Sequence, residues 1–166
     1  MFGLHFALAV GLAAFAGQLS PLAVLGSFAL VHLVLRLAAP ITGTWRYVRR
    51  VELGCQFLFW FVAEVLRASV QVARLVLGPR VDISPAVLSY PLERPGDRIA
   101  TILGCLLTLT PGTLALDYHR AGGCLQIHAL NARPAAAVLA DIRAIELRLL
   151  AWLDAGQRPA AERKIA

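Results

Sequence analysis

Two uninterrupted apolar runs open the chain, Phe2 to Gly17 and Pro21 to Leu37, and no charged residue occurs from Met1 to Leu35. Each run is slightly shorter than the roughly 20 residues that usually cross a hydrocarbon core. They can cross only if nearly upright or where the bilayer thins locally. The link Gln18-Leu19-Ser20-Pro21 leaves room for little more than a tight turn, and Pro21 suits the first position of a helix. The pattern therefore predicts a transmembrane helical hairpin over 1–37. Ala9, Ala13 and Gly17 recur at four-residue spacing, which lets a neighbouring helix approach closely in a lipid environment.

The polarity changes at 38–50, where Trp45 and Tyr47 are mixed with Arg46, Arg49 and Arg50. Interfacial aromatics and arginines after a span predict a basic cytoplasmic loop. The next apolar segment, 51–78, is long enough to cross a bilayer. On a helical wheel, however, Glu52, Gln56, Glu64, Arg67, Gln71 and Arg74 fall within about a third of the circumference. Phe57, Leu58, Phe61, Val62, Val65, Leu66, Val72, Leu75 and Val76 fill the remainder. Such a helix either lies flat in the interface or crosses as a third span with its polar stripe turned to partner subunits. Glu64 and Arg67, three residues apart, can pair on that stripe. With Gln71 and Arg74 they form a candidate subunit-facing surface.

Gly78-Pro79 stops the helix and marks the start of a small α+β domain over 79–155. Pro85 and Pro91 near the ends of Ile83 to Leu92 predict an edge strand, because proline cannot donate to a central ladder. Asp97 is placed to cap a short buried helix carrying Ile99, Ile102, Leu103, Leu106 and Leu107. That helix ends at Thr110-Pro111-Gly112-Thr113, whose central Pro-Gly pair favours a type II turn. Leu114, Leu116 and Tyr118 then alternate with Ala115 and Asp117. After Gly122-Gly123, Leu125, Ile127 and Ala129 alternate with Gln126 and His128, so the two stretches predict a hairpin. From Ala135 to Ala155, Val138, Leu139, Ile142, Ile145, Leu149, Trp152 and Leu153 repeat at helical spacing, with Asp141, Arg143, Glu146 and Arg148 elsewhere. The predicted order is β-α-β-β-α, followed by a flexible tail at 156–166.

The net charge of +6 lies almost wholly between Arg36 and Arg80, where seven arginines face Glu52 and Glu64. These arginines adjoin apolar spans instead of covering a water-facing surface, so nucleic acid is not an expected partner. The lipid bilayer is. Ala14-Phe15-Ala16 mimics a signal-peptide cleavage site, but no Lys or Arg precedes it and a second apolar run follows at once, which favours a retained membrane helix. Cys55, Cys105 and Cys124 have no paired spacing and read as reduced packing residues.

Chemistry is sparse. No Gly-rich phosphate loop, zinc-spaced cysteine pair or His-Glu-x-x-His array is present, so neither a cofactor nor a metal site is expected. His5 and His32 are the titratable side chains of the first two runs and lack a carboxylate nearby in sequence, so they read as end-of-helix or interhelical hydrogen-bonding residues. Asp117, His119 and His128 lie on adjacent predicted strands and form the nearest approach to an acid-base cluster, subject to strand register.

The stretch from Leu107 to Asp117, with Leu-Thr-Pro-Gly-Thr at its centre, the nearby Leu125-Gln126-Ile127-His128-Ala129-Leu130 and the apolar N-terminal half together resemble the E subunit of multisubunit Na+/H+ antiporters of the Mrp/Mnh/Pha type. Thr110, Pro111, Gly112 and Thr113 are the characteristic turn. The resemblance implies a non-catalytic accessory subunit of the plasma membrane of a bacterium, multi-pass, with its C-terminal domain in the cytoplasm. It also implies partnership with other membrane subunits of a hetero-oligomeric complex that exchanges Na+ for H+, in which larger subunits carry most of the ion transport and this one supports assembly and stability. A structural subunit of a related membrane-bound redox or hydrogenase complex is the alternative, and a small membrane enzyme using Asp117, His119 and His128 a further one.

Overall fold

A computed structural model describes residues 1–78 and 83–155; Pro79 and the 156–166 tail lie outside them. The elements are α1 (Phe2–Phe15), α2 (Pro21–Thr42), α3 (Trp45–Leu77), β1 (Ala86–Pro91), α4 (Asp97–Leu109), β2 (Thr113–His119), β3 (Cys124–Ala129) and α5 (Ala135–Asp154). They form two compact units, one comprising Met1–Gly54 with residues 153–155, the other Cys55–Trp152.

In the first unit Ser20 caps α2 by accepting a hydrogen bond from Ala23 N at 3.2 Å, with Pro21 beginning the helix. His5, Ala9 and Ala13 form the buried face of α1. Gly17 lies beyond the helix end at φ 70°, so the small-residue stripe is one position shorter than its spacing predicts. The stretch 38–50 is not a loop. Helix α2 continues to Thr42 and stops where Gly43 adopts φ 66° and its N–H bonds to Ala39 O. The N–H groups of Tyr47 and Val48 then bond to Thr44 O as α3 begins. A single left-handed glycine is enough to reverse the ladder, and Arg46, Arg49 and Arg50 therefore sit on the first turns of α3.

The second unit is built on a sheet of order β1-β3-β2, antiparallel throughout. Central strand β3 turns Leu125, Ile127 and Ala129 into the core and Cys124, Gln126 and His128 to the other face. Leu103 and Leu107 of α4, Ile142 and Ile145 of α5, and Tyr90 of β1 pack with them. A Cβ on Gly104 would stand 3.3 Å from Ala115 Cβ, so the missing side chain lets α4 lie close on β2.

Strand β2 departs from simple alternation. A bulge between Ala115 and Asp117 inserts one unpaired residue, after which Ala115 and Tyr118 face inward. Leu114 and Leu116, which alternation would bury with Tyr118, are instead 44% and 52% exposed. Asp97 does not cap α4: Gly96 holds the cap position, and the Asp97 carboxylate accepts from Arg120 Nε at 2.9 Å. Cys55 and Cys105 are exposed and Cys124 is half-buried, so within the chain the first two do not fill a core.

Helix α3 contributes to this unit from Cys55 onward, so the compact body starts well before Gly78. Phe57 stacks on Trp152 with centroids 6.1 Å apart, and the Arg148 guanidinium lies 4.1 Å from the Trp60 ring centroid. Glu146 is fully buried. It accepts hydrogen bonds from Tyr90 Oη at 2.7 Å and from Arg94 N at 3.3 Å, which offsets the desolvation cost of a polar group in a core. Burial, the bond to Glu146 and the nearby negative charge of Glu146 and Glu93 push the Tyr90 hydroxyl above its ordinary titration range.

Leu103→Ala should lower the stability of this unit by about 2–5 kcal/mol, seen as a reduced midpoint of thermal unfolding in mild detergent. Glu146→Leu should cost about 1–3 kcal/mol by removing the acceptor of the buried Tyr90 hydroxyl. Adding Tyr90→Phe should recover part of that loss. Because the folded state favours neutral Tyr90, its contribution is complete below the ordinary tyrosine pKa of about 10 and fades as pH rises further. Tyr90→Phe should flatten that alkaline decline.

Candidate functional site

The Thr-Pro-Gly-Thr sequence is first of all a helix terminator. The last carbonyls of any helix lack intrahelical partners, and here threonine hydroxyls supply them. Thr110 Oγ1 donates to Leu106 O at 3.0 Å, and Thr113 Oγ1 donates to Leu107 O at 2.7 Å and Thr110 O at 3.2 Å. Thr110 itself is extended at φ −89°, ψ 117°, as a residue before proline should be. Thr113 N closes the turn on Thr110 O at 3.2 Å, with Gly112 at φ 94° in the position that requires a left-handed backbone. Gly112 O then accepts from Leu130 N at 2.8 Å, which ties the turn to the end of β3.

This turn forms one wall of a cavity of about 370 Å³ within the second unit. Glu64, Ala68, Gln71, Val72 and Leu75 of α3 form another wall, with Asn131, Arg133 and Asp141 also on its lining. The approach is close: a Cβ on Gly112 would lie 3.4 Å from Val72 Cγ2. Polar residues thus share the lining with aliphatic ones, around a space large enough for an inserted side chain or loop. Among the described residues no group of His, Cys, Asp and Glu is placed to hold a metal ion.

The four stripe residues are placed differently with respect to this cavity. Glu64 and Gln71 line the cavity, whereas Arg67 and Arg74 do not. Arg67 Nη1 reaches Glu64 Oε2 at 2.8 Å, joining the exposed and the cavity-lining parts of the stripe. Along α3, Leu58, Val62 and Leu66, at four-residue spacing, are exposed apolar side chains.

The candidate acid-base cluster does not assemble. Asp117 Oδ2 and His119 Nδ1 are 3.3 Å apart, but both side chains are about two-thirds exposed. His128 pairs with Leu114 across the ladder, while His119 pairs with Cys124 at the other end of β3. That separation is roughly 13 Å at the usual rise per strand residue. Sequence reasoning also missed the buried carboxylate of Glu146, whose only sequence signal is its place one residue after Ile145 in the inward stripe.

A family model described as Na+/H+ ion antiporter subunit matches residues 5–151, from the first turn of α1 almost to the end of α5. The chain belongs to that family. Relatives carry the name expected from the turn. The E subunit of the Na(+)/H(+) antiporter of Bacillus subtilis is 34% identical over 99 residues, covering 60% of each chain. That of Alkalihalophilus pseudofirmus is 29% identical over 96 residues, covering 58% of this chain and 61% of the relative. The matched stretch thus spans about 60% of the length of these relatives. A chain in the structure of the Mrp complex from Dietzia sp. DQ12-45-1b is 29% identical, with 58% of this chain and 91% of that one covered and a TM-score of 0.46. The family is one of membrane transporter components, and α2 and α3 are both long and apolar enough to cross a bilayer.

Thr113→Val keeps the shape of the side chain but removes its donor, and should destabilise the second unit by about 1 kcal/mol. Gly112→Ala forces an L side chain into a positive-φ position and should cost roughly 1–2 kcal/mol. Denaturant midpoints of the purified chain in detergent check both.

Proposed function

We propose that the chain is a non-catalytic accessory subunit of a multisubunit Na+/H+ antiporter, which larger membrane subunits need for assembly and stability. Exposed apolar surface carries this reading. Phe2, Leu4, Phe15, Leu22, Leu25, Leu37 and Ile41 of α1 and α2 all stand more than half exposed. Surfaces of this kind on a soluble monomer are confined to a few hundred Å², so lipid and neighbouring helices are their natural cover. In this proposal α1 and α2 cross as a hairpin, and the arginines that begin α3 together with the α+β domain lie on the cytoplasmic side of the plasma membrane. The family membership supplies the transporter context.

The surface offered to a larger subunit combines the stripe Glu64, Arg67, Gln71 and Arg74 with the turn Thr110, Pro111, Gly112 and Thr113, which shares a cavity lining with Glu64 and Gln71. Charged and aliphatic residues are combined there, which suits an interface whose core is apolar and whose edge is polar. The chain should co-purify in mild detergent with several larger membrane proteins, and its deletion should lower Na+/H+ exchange in everted vesicles. Recovery as a lone, stable monomer with exchange unaffected would sink the proposal. The exposed Arg67 ion pair contributes at most about 1 kcal/mol to folding. Arg67→Glu/Arg74→Glu should therefore leave the thermal midpoint nearly unchanged while reducing the yield of co-purified partners severalfold.

A further inference from the structure

The part of α3 that belongs to the second unit presents three different arcs. Phe57, Ala68, Val72 and Leu75 share one at helical spacing, and it is turned to the α+β domain. Phe57 packs on the domain core and stacks on Trp152, and the other three line the cavity. Leu58, Phe59, Val62, Leu66, Val70 and Leu77 share a second arc, about a third of the circumference. All six are exposed, Phe59 at 76% and Leu66 at 61%. Arg67 and Arg74 stand on the third arc, at the seam between the exposed leucines and valines and the cavity-lining Glu64 and Gln71. Glu64 is the one acidic residue between Cys55 and Leu77. It is turned to the cavity lining and paired with Arg67 at 2.8 Å, so on this helix the apolar arc is bordered by positive charge alone.

The length of the domain-facing arc decides how α3 meets a bilayer. It runs from Phe57 to Leu75, roughly 27 Å at about 1.5 Å per residue, which is close to the thickness of a hydrocarbon core. A crossing α3 would carry the domain packed along it to bilayer depth. There the ion pairs of Arg120 with Asp97 at 2.9 Å and of Arg143 with Glu93 at 2.7 Å would lose their water, as would the backbone of the connecting loops. An apolar arc on one side, a folded polar domain on the other and arginines at the seam instead match a helix lying in the plane of the interface.

We propose that from Cys55 to Leu77 α3 lies along an anionic phospholipid leaflet. Leu58, Phe59, Val62, Leu66 and Val70 reach the acyl chains, and Arg67 and Arg74 stand at the level of the headgroup phosphates. Lipid, not a third crossing, covers the arc. The apolar contact supplies most of the binding, and the arginines select negatively charged headgroups. This rests on the membrane residence of the chain and not on its accessory role.

Depth measurement on the full chain in vesicles of phosphatidylcholine and phosphatidylglycerol tests this. With Cys55, Cys105 and Cys124 replaced by serine, Leu58→Cys, Val62→Cys, Leu66→Cys and Val70→Cys each carry a nitroxide label. Collision of the label with oxygen and with a water-soluble nickel chelate reads its depth. All four should lie at one level, about 5–10 Å below the phosphates. A crossing helix would separate Leu58→Cys from Val70→Cys by roughly 18 Å along the membrane normal, and that result would overturn the proposal. So would labels shielded from both reagents, which is the signature of a protein partner on the arc. Arg67→Gln/Arg74→Gln, or vesicles of phosphatidylcholine alone, should move the labels towards water, and unchanged depth in both would overturn the anionic surface. A chain stripped from the vesicles by alkaline carbonate would overturn the membrane reading itself, whereas a chain retained there with all four labels in water would overturn only the interfacial one.

Discussion

The constraint on which the rest depends is that the first two helices cannot cover their own apolar surface. In α1 only His5, Ala9 and Ala13 are buried, and in α2 only Ala39. Small side chains let the helices touch, but they bury little area, and large side chains such as Phe15 and Ile41 are directed outward. Association of this kind is driven by close packing and interhelical hydrogen bonds where the surrounding medium is itself apolar. Among the polar groups that remain inside, His5 and Tyr47 are paired with each other, since an unpaired one is costly there.

The second unit follows the opposite rule. It has an ordinary core of aliphatic side chains beneath a three-stranded sheet, yet at this size it gains from extra cover, and the half of α3 beyond Cys55 supplies it. Val72 beside Gly112 and Phe57 against Trp152 make the helix part of the body it precedes. The Thr-Pro-Gly-Thr turn acts at this junction. Its hydroxyls close the end of α4, its glycine admits α3, and its carbonyl anchors β3. Four residues thus carry three structural duties.

Much of this was legible in the sequence. Apolar runs, the Pro-Gly turn and the alternation in β3 specify their elements directly, because helix and strand periods and turn chemistry are local properties. What escaped is non-local or depends on a single backbone torsion. The 38–50 segment reads as a loop because its arginines and aromatics suit an interface, while the outcome turned on Gly43 alone. Glu146 looks like a surface residue until Tyr90, far away in sequence, is brought to it. Likewise the meeting of His32 with Glu52 is invisible without the fold, since neither residue's neighbours announce it. Of the proposed interface, sequence identified the turn and the stripe but not that Glu64 and Gln71 share a cavity with the turn.

The bulge in β2 has a consequence for how copies of this chain meet one another. An outer strand with regular pleating offers an open row of amide and carbonyl groups onto which a foreign strand can zip. The extra residue near Leu116 interrupts that row, and on the opposite border Pro91 withholds an amide altogether. Both borders of the sheet are therefore poor templates for a foreign strand, and the surface through which copies would adhere is the apolar one of α1 and α2.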